Sequence, residues 1–211
     1  MIAREVGNRD YPIWLLGDSN PKQWQDRLLT PLDPRHPIRH NIWTSILDVM
    51  QDRVFREYRA RVDTSQPYIR NAVDNSAGKP KPTDVEWGKV ANREVVHLRA
   101  LIDSHKPRLL LCFGAFAFEF AKHALDQAPH HSYRYWGAKR LGEEFRQAID
   151  RFGPDATNVI PLLHRSISGG KFVQSHEYFC DKKGTNYFEY VGCSIADKLI
   201  QHRGQLRIWI E

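Results

Sequence analysis

Short, wholly apolar runs alternate along the chain with longer segments in which apolar residues recur at helical spacing. The runs cover residues 12–16, 109–113 and 159–163. A short continuous apolar run indicates a strand that is buried on both faces of a sheet. The pattern therefore predicts three buried strands, and the segment 205–211 predicts a short final strand.

Helical spacing fills most of the chain between these runs. The predicted helices cover residues 41–60, 84–105, 115–125, 136–153 and 187–202. Strands that are separated by helices pair in parallel, through right-handed crossovers. We therefore expect one α/β domain over 1–211, a three-layer α/β/α sandwich with a mostly parallel central sheet. The segment 64–84 is rich in Pro, Gly, Asn and Ser and predicts a surface excursion.

Composition narrows the class of protein. The 211 residues suffice for one compact domain. No apolar run approaches the roughly 20 residues that cross a bilayer, and the N-terminal stretch MIAREVGNRDYP has no apolar signal core. The three cysteines, Cys112, Cys180 and Cys193, are scattered, so we expect free thiols in a reducing, cytoplasmic compartment and no membrane partner.

Charge and loop position suggest where a ligand binds. Lys and Arg number 31 against 25 for Asp and Glu, a net charge of +6 that favours an anionic partner such as nucleic acid or nucleotide. Polar loops at 17–24, 114–116 and 164–171 follow the three predicted strands. In a parallel sheet, ligands bind beyond the carboxyl ends of the strands, so we expect these loops to converge.

Four short motifs occur in a recognisable order. GDSNPKQW (17–24) follows the first strand, RHPIRHNIWTSI (35–46) precedes a helix, KPRLLLCFGAFAFEF (106–120) contains the second strand, and HRSISGG (164–170) follows the third. In this order, over about residues 12–200, the chain resembles the uracil-DNA glycosylase superfamily. The resemblance implies an enzyme that flips a nucleotide out of DNA and cleaves the bond between base and sugar.

The resemblance also implies catalytic roles. His164 matches the histidine that donates a hydrogen bond to the departing base. If Pro21 sets the register of the first loop, Asn20 takes the position that orients water; if Gly17 sets it, Ser19 does, with Asp18 alongside to stabilise the sugar cation or position water. Three residues separate Gly17 from Pro21, where the family has two. An alternative role for Asp18 is formation of a turn.

Base and backbone contacts follow from the same resemblance. Asn41 matches the asparagine that reads the base edge, although Asn also caps helices. Trp24 and Phe116 are candidates to stack on the flipped base, and core packing is the alternative for both. The predicted phosphate-contacting loop comprises Arg165, Ser166, Ser168, Gly169, Gly170 and Lys171. Arg165 departs from the family, which has proline there, and a plain flexible loop is the alternative.

Other chemistries fit the sequence less well. His130 and His131 are adjacent, so their side chains are expected to diverge, and no GxSxG motif follows a strand. We therefore expect a monomer without metal or cofactor that cleaves the N-glycosidic bond of a deaminated or modified, uracil-like base in duplex or single-stranded DNA. Two alternatives remain: a non-catalytic member of the fold that binds nucleic acid or a nucleobase, and an N-glycosidase acting on nucleosides or nucleotides.

Overall fold

The central sheet has five strands in the order β1-β4-β2-β5-β6. The computed structural model describes residues 5–20, 28–31, 33, 35, 43–164 and 171–210, with Lys171 described by its backbone. Strands β1 (Glu5–Val6), β2 (Ile13–Gly17), β4 (Tyr68–Asn71), β5 (Leu109–Phe113) and β6 (Asn158–Leu162) form this sheet. All neighbours pair in parallel except β1, which runs antiparallel to β4 at one edge.

The three apolar runs form the centre of the sheet, as predicted. Leu15 on β2 pairs with Leu111 on β5, and Leu111 pairs with Ile160 on β6. All three side chains are buried. The continuous apolar pattern arises because helices cover both faces of these strands, so neither set of alternating side chains meets water.

Six helices in the described part of the chain surround the sheet. They are α1 (Thr44–Tyr58), α2 (Lys89–His105), α3 (Ala115–Ala124), α4 (Ala138–Asp150), α5 (Lys171–Cys180) and α6 (Tyr187–Gln201). Helices α1 and α6 pack together, as do α2 with α3 and α4 with α5. This is the expected three-layer α/β/α sandwich. None of the described helices is long and apolar enough to span a membrane.

The prediction for residues 64–84 is wrong. This segment contains β4, which lies between β1 and β2 in the main sheet, and it continues into the buried residues Ala72 and Val73. Arg70 points inward from β4, where its guanidinium lies 3.5 Å from the carboxylate of Glu94 on α2. A buried arginine interrupts the apolar pattern, which is why the strand escapes a reading based on hydrophobicity.

Smaller differences occur toward the C-terminus. Helix α5 was not predicted. The expected final strand exists as β7 (Trp209–Ile210), but it pairs antiparallel with β3 (Arg61–Val62) in a separate two-stranded ribbon and not with the main sheet.

Candidate active site

The carboxyl ends of β2, β4, β5 and β6 lie at one edge of the sheet because the four strands are parallel. The residues that follow them are Asp18, Ala72, Gly114 and Leu163. An isolated bridge between Asn20 and Asn75 continues the pairing of β2 with β4 beyond the strands themselves. The sheet therefore fixes the positions of the residues that follow these strands.

Asp18 forms an ion pair that sequence reasoning did not foresee. The Lys79 ammonium donates to Oδ2 of Asp18 at 2.6 Å, and both side chains are only about one-fifth exposed, 22% for Asp18 and 20% for Lys79. Oδ1 of Asp18 is buried and receives no hydrogen bond from any described residue. A buried carboxylate oxygen without a donor is costly, so this atom is suited to accept a hydrogen bond from water or ligand.

Asn20 is held by a second asparagine. Its side-chain oxygen accepts a hydrogen bond from Nδ2 of Asn71 at 2.9 Å, and the residue is buried. Asn71 in turn lies against the backbone of Gly17, where an added Cβ would approach Oδ1 of Asn71 to 2.3 Å. Gly17 therefore leaves the space beside β2 that the Asn71 amide occupies.

His164 follows β6 and packs against Gly114. A Cβ added to Gly114 would lie 2.6 Å from Cβ of His164, and Gly114 has a φ of +93°, which favours glycine. Part of the residue is exposed, although protein atoms surround the imidazole closely enough to desolvate it. The surrounding protein nevertheless lowers its pKa, chiefly by burial; the Asp18 carboxylate opposes this shift and Lys79 adds to it. Asp18 and Lys79 are therefore both close enough to His164 to change its pKa.

Aromatic rings line the side of the site that α3 provides. The Lys79 ammonium lies 4.9 Å from the centre of the Phe116 ring and 5.4 Å from that of Tyr133. Both distances are within cation–π range. Phe116 is only 2% exposed and also contacts Trp87, with ring centres 5.6 Å apart. The ring of Phe116 is thus covered by neighbouring side chains in this state, and its proposed stacking role stays a prediction.

Several predicted site residues cannot be located. Trp24, Asn41, Arg165, Ser166, Ser168, Gly169 and Gly170 lie outside the described residues. Lys171 begins α5, and its side chain is not described. The structure therefore brings Asp18 within electrostatic reach of His164, and Lys79 links Asp18 to Phe116, while Asn20 is held by Asn71. The roles of these residues, like those of the residues outside the described ranges, stay predictions.

Sequence reasoning missed three residues that border this site: Asn71, Lys79 and Tyr133. Asn71 and Lys79 belong to the segment that was predicted to be a surface excursion. No sequence signal marked Asn71, because YIRN does not alternate apolar with polar residues and its buried residue Arg70 is charged. No sequence signal marked Lys79, because its partner Asp18 lies 61 positions away.

Comparison with known proteins does not identify a family. No protein-family model matches the chain, and no curated protein matches it significantly.

Proposed function

We propose that this chain is a DNA glycosylase-like protein that cleaves the N-glycosidic bond of a deaminated or modified, uracil-like base. The observation that carries the proposal is the placement of an imidazole and a carboxylate on either side of Gly114. His164 and Asp18 follow strands that are separated by one intervening strand, so they are spaced by about 10 Å at the sheet edge. Gly114 follows the intervening strand, β5, and adds no side chain between them.

Breaking this bond creates two opposite charges. As the bond between C1′ and the base nitrogen lengthens, its electron pair moves to the base and C1′ becomes cationic. Asp18, whose Oδ1 has no described donor, stabilises the cation and orients a water molecule. The water oxygen bonds to C1′, and its proton passes to the carboxylate.

His164 acts on the departing base. Its pKa is lowered, chiefly by burial, from an ordinary value near 6.5, so the imidazole is neutral at pH 7. A neutral ring donates one N–H to a base oxygen that gains negative charge, without a competing positive charge in the ground state. Lys79 holds the other carboxylate oxygen and fixes the orientation of Asp18.

The Asp18–Lys79 ion pair also favours a second candidate, a non-catalytic nucleic-acid-binding or nucleobase-binding protein of the same fold. A carboxylate that is paired with an ammonium offers less negative charge to a sugar cation. A third candidate, an N-glycosidase acting on free nucleosides or nucleotides, uses the same groups without a DNA backbone.

The test is single-turnover base release. Oligonucleotides with uracil, hypoxanthine or a mismatch are incubated with the protein, and alkali-labile abasic sites are counted; free nucleosides are assayed in parallel. We expect His164→Ala to slow release by about 100- to 1000-fold, as loss of one transition-state donor does, with little change in DNA affinity. His105→Ala is the matched control, because His105 ends α2 before β5 begins, at the opposite edge of the sheet.

Each result selects one candidate. Release from oligonucleotides that depends on His164 supports the proposal. DNA binding without release from any substrate supports the non-catalytic candidate, and cleavage of nucleosides alone supports the third.

A further inference from the structure

A second cluster of polar side chains lies on the outer helix layer, around α3. Glu119 and His123 are one helical turn apart on α3, and His130 lies in the loop that follows. One carboxylate oxygen and one nitrogen from each imidazole lie within 4.8 Å of one another. Nothing in the proposed glycosylase chemistry uses these residues.

The two imidazole nitrogens of the cluster are buried and poorly satisfied. Nε2 of His123 lies 3.4 Å from Oε1 of Glu119, and Nδ1 of His130 lies 3.9 Å from the same oxygen. Neither nitrogen makes a hydrogen bond of acceptable geometry with a described residue. Two ligand atoms bound tetrahedrally to one zinc ion are separated by about 3.3–3.4 Å, so the cluster needs only a small closure to bind one.

Other groups already fix the carboxylate, as outer-sphere partners do in metal sites. The backbone N–H of His131 donates to Oε1 of Glu119 at 2.7 Å, and the indole N–H of Trp136 donates to Oε2. The His123 ring is stacked between Trp87, with ring centres 4.1 Å apart, and His130, at 4.0 Å. The carboxylate is therefore held in place, whereas the two imidazole planes are inclined by only 20°, so one ring must rotate out of the stack before both nitrogens point at one ion.

The nearby charges act in both directions. Lys122 donates to the carbonyl of Pro129 at 3.2 Å and brings a positive charge close to the cluster. Asp126 opposes it, with Oδ1 at 3.9 Å from Nε2 of His130. The fully buried Glu119 adds a second negative charge. Arg99 adds a second positive charge, because it donates to the carbonyls of His123 and Ala124 and lies 3.9 Å from Asp126. The nearby formal charges therefore balance, and the attraction for a divalent cation comes from the ligand atoms themselves.

We propose that Glu119, His123 and His130 bind one Zn²⁺ ion and leave the fourth position for water or another ligand. Two imidazoles and a carboxylate are a donor set that zinc accepts. The ion would link the loop after α3 to the helix itself. That loop leads to Tyr133, whose ring contacts Phe116 with centres 5.3 Å apart, so zinc would also stabilise one side of the candidate active site.

The expectation of a protein without metal rested on spacing between histidines. His130 and His131 do diverge, since His131 stacks on Tyr135 with ring centres 3.9 Å apart. The other two ligands, Glu119 and His123, come from the pattern Glu-x-x-x-His on α3. A search for closely spaced histidines misses this pattern because one of its two ligands is acidic.

Zinc binding to the full chain tests this site without any assay of base release. A chelator first removes bound metal from the protein. Zn²⁺ affinity is then measured by calorimetry and by competition with a chromophoric chelator. The absorption spectrum of the Co²⁺-substituted protein reports the coordination geometry. We expect one ion per chain with a dissociation constant below about 1 μM, equivalent to more than about 8 kcal/mol. Saturating zinc should raise the melting temperature by about 5–10 °C.

Two variants and one control decide the assignment. His130→Ala should weaken zinc binding by more than about 100-fold, beyond the loss typical of outer-sphere partners. Glu119→Gln keeps the shape of the side chain and should also weaken it. His131→Ala keeps the backbone N–H and should bind as the wild type does. Absence of stoichiometric binding by the wild type, or equal binding by all four proteins, would overturn the proposal.

Discussion

At the scale of single residues, the candidate active site depends on Gly114 as much as on its charged groups. Gly114 allows the positive φ with which β5 turns into α3, and it leaves the space that His164 occupies. Asp18 and Lys79 then set the electrostatic surroundings of the imidazole from the β2 and β4 side. A change at any of these positions should therefore be detectable at His164.

Gly114→Ala should disturb both backbone and site. The new Cβ would lie 2.6 Å from Cβ of His164, and alanine resists a φ of +93°. We expect the free energy of unfolding to fall by about 1–3 kcal/mol in urea titrations and base release to fall with it. Gly153→Ala is the control, because an added Cβ there meets nothing within 4 Å. Equal stability of the two variants would contradict the close contact between Gly114 and His164.

The pKa of His164 should move in opposite directions in two variants. Lys79→Met removes a positive charge that lowers this pKa, so the pKa should rise; Asp18→Asn removes a negative charge that raises it, so the pKa should fall. NMR titration of the imidazole resonances measures both. His176 is the internal control, since burial alone lowers its pKa. If neither variant moves His164, the three groups do not share one site.

At the scale of elements, β4 separates what the sequence could predict from what it could not. The runs that became β2, β5 and β6 are apolar throughout, because helices cover both faces, and hydrophobicity alone identifies them. Strand β4 is four residues long and carries Arg70, whose burial depends on Glu94 at a distance in sequence. The contact that compensates the charge of Arg70 is tertiary, so no local sequence pattern predicts it. Asn71 and Lys79 were missed together with this strand.

The Arg70–Glu94 pair should be critical for attaching α2 to the sheet. Both side chains are almost fully buried, and their closest atoms are 3.5 Å apart. Arg70→Met removes the buried cation that faces this carboxylate and leaves only the more exposed Arg93 and His97 beside Glu94. We expect a loss of up to about 3–5 kcal/mol in the free energy of unfolding. Arg70→Met combined with Glu94→Leu removes both charges and should recover most of that loss. A double variant as unstable as the sum of the single variants would contradict the coupling.

At the scale of the whole molecule, the sheet brings distant parts of the chain to one edge. Asp18 and His164 are far apart in sequence, yet their convergence was predictable because parallel strands place their carboxyl ends together. Their distances, and the ion pair between Asp18 and Lys79, depend on packing that no motif describes. Sequence thus located the edge, and the structure supplied the electrostatics on which the proposed chemistry depends.

The net charge of +6 should make DNA binding depend steeply on salt, because each neutralised phosphate releases counterions. We expect the logarithm of the binding constant, measured by fluorescence anisotropy on uracil-containing duplex and single strands, to fall linearly with the logarithm of salt concentration between about 50 and 200 mM.

Lys171 begins α5, the next described element after β6 along the chain. Lys171→Gln should weaken binding and reduce that slope by about one unit if the lysine contacts a phosphate, while sparing single-turnover base release. Lys106→Gln is the matched control, because Lys106 follows α2 and precedes β5, at the opposite edge of the sheet. A flat salt dependence, or equal effects of the two variants, would contradict DNA binding at this edge of the sheet and would favour a nucleoside or nucleotide as the ligand.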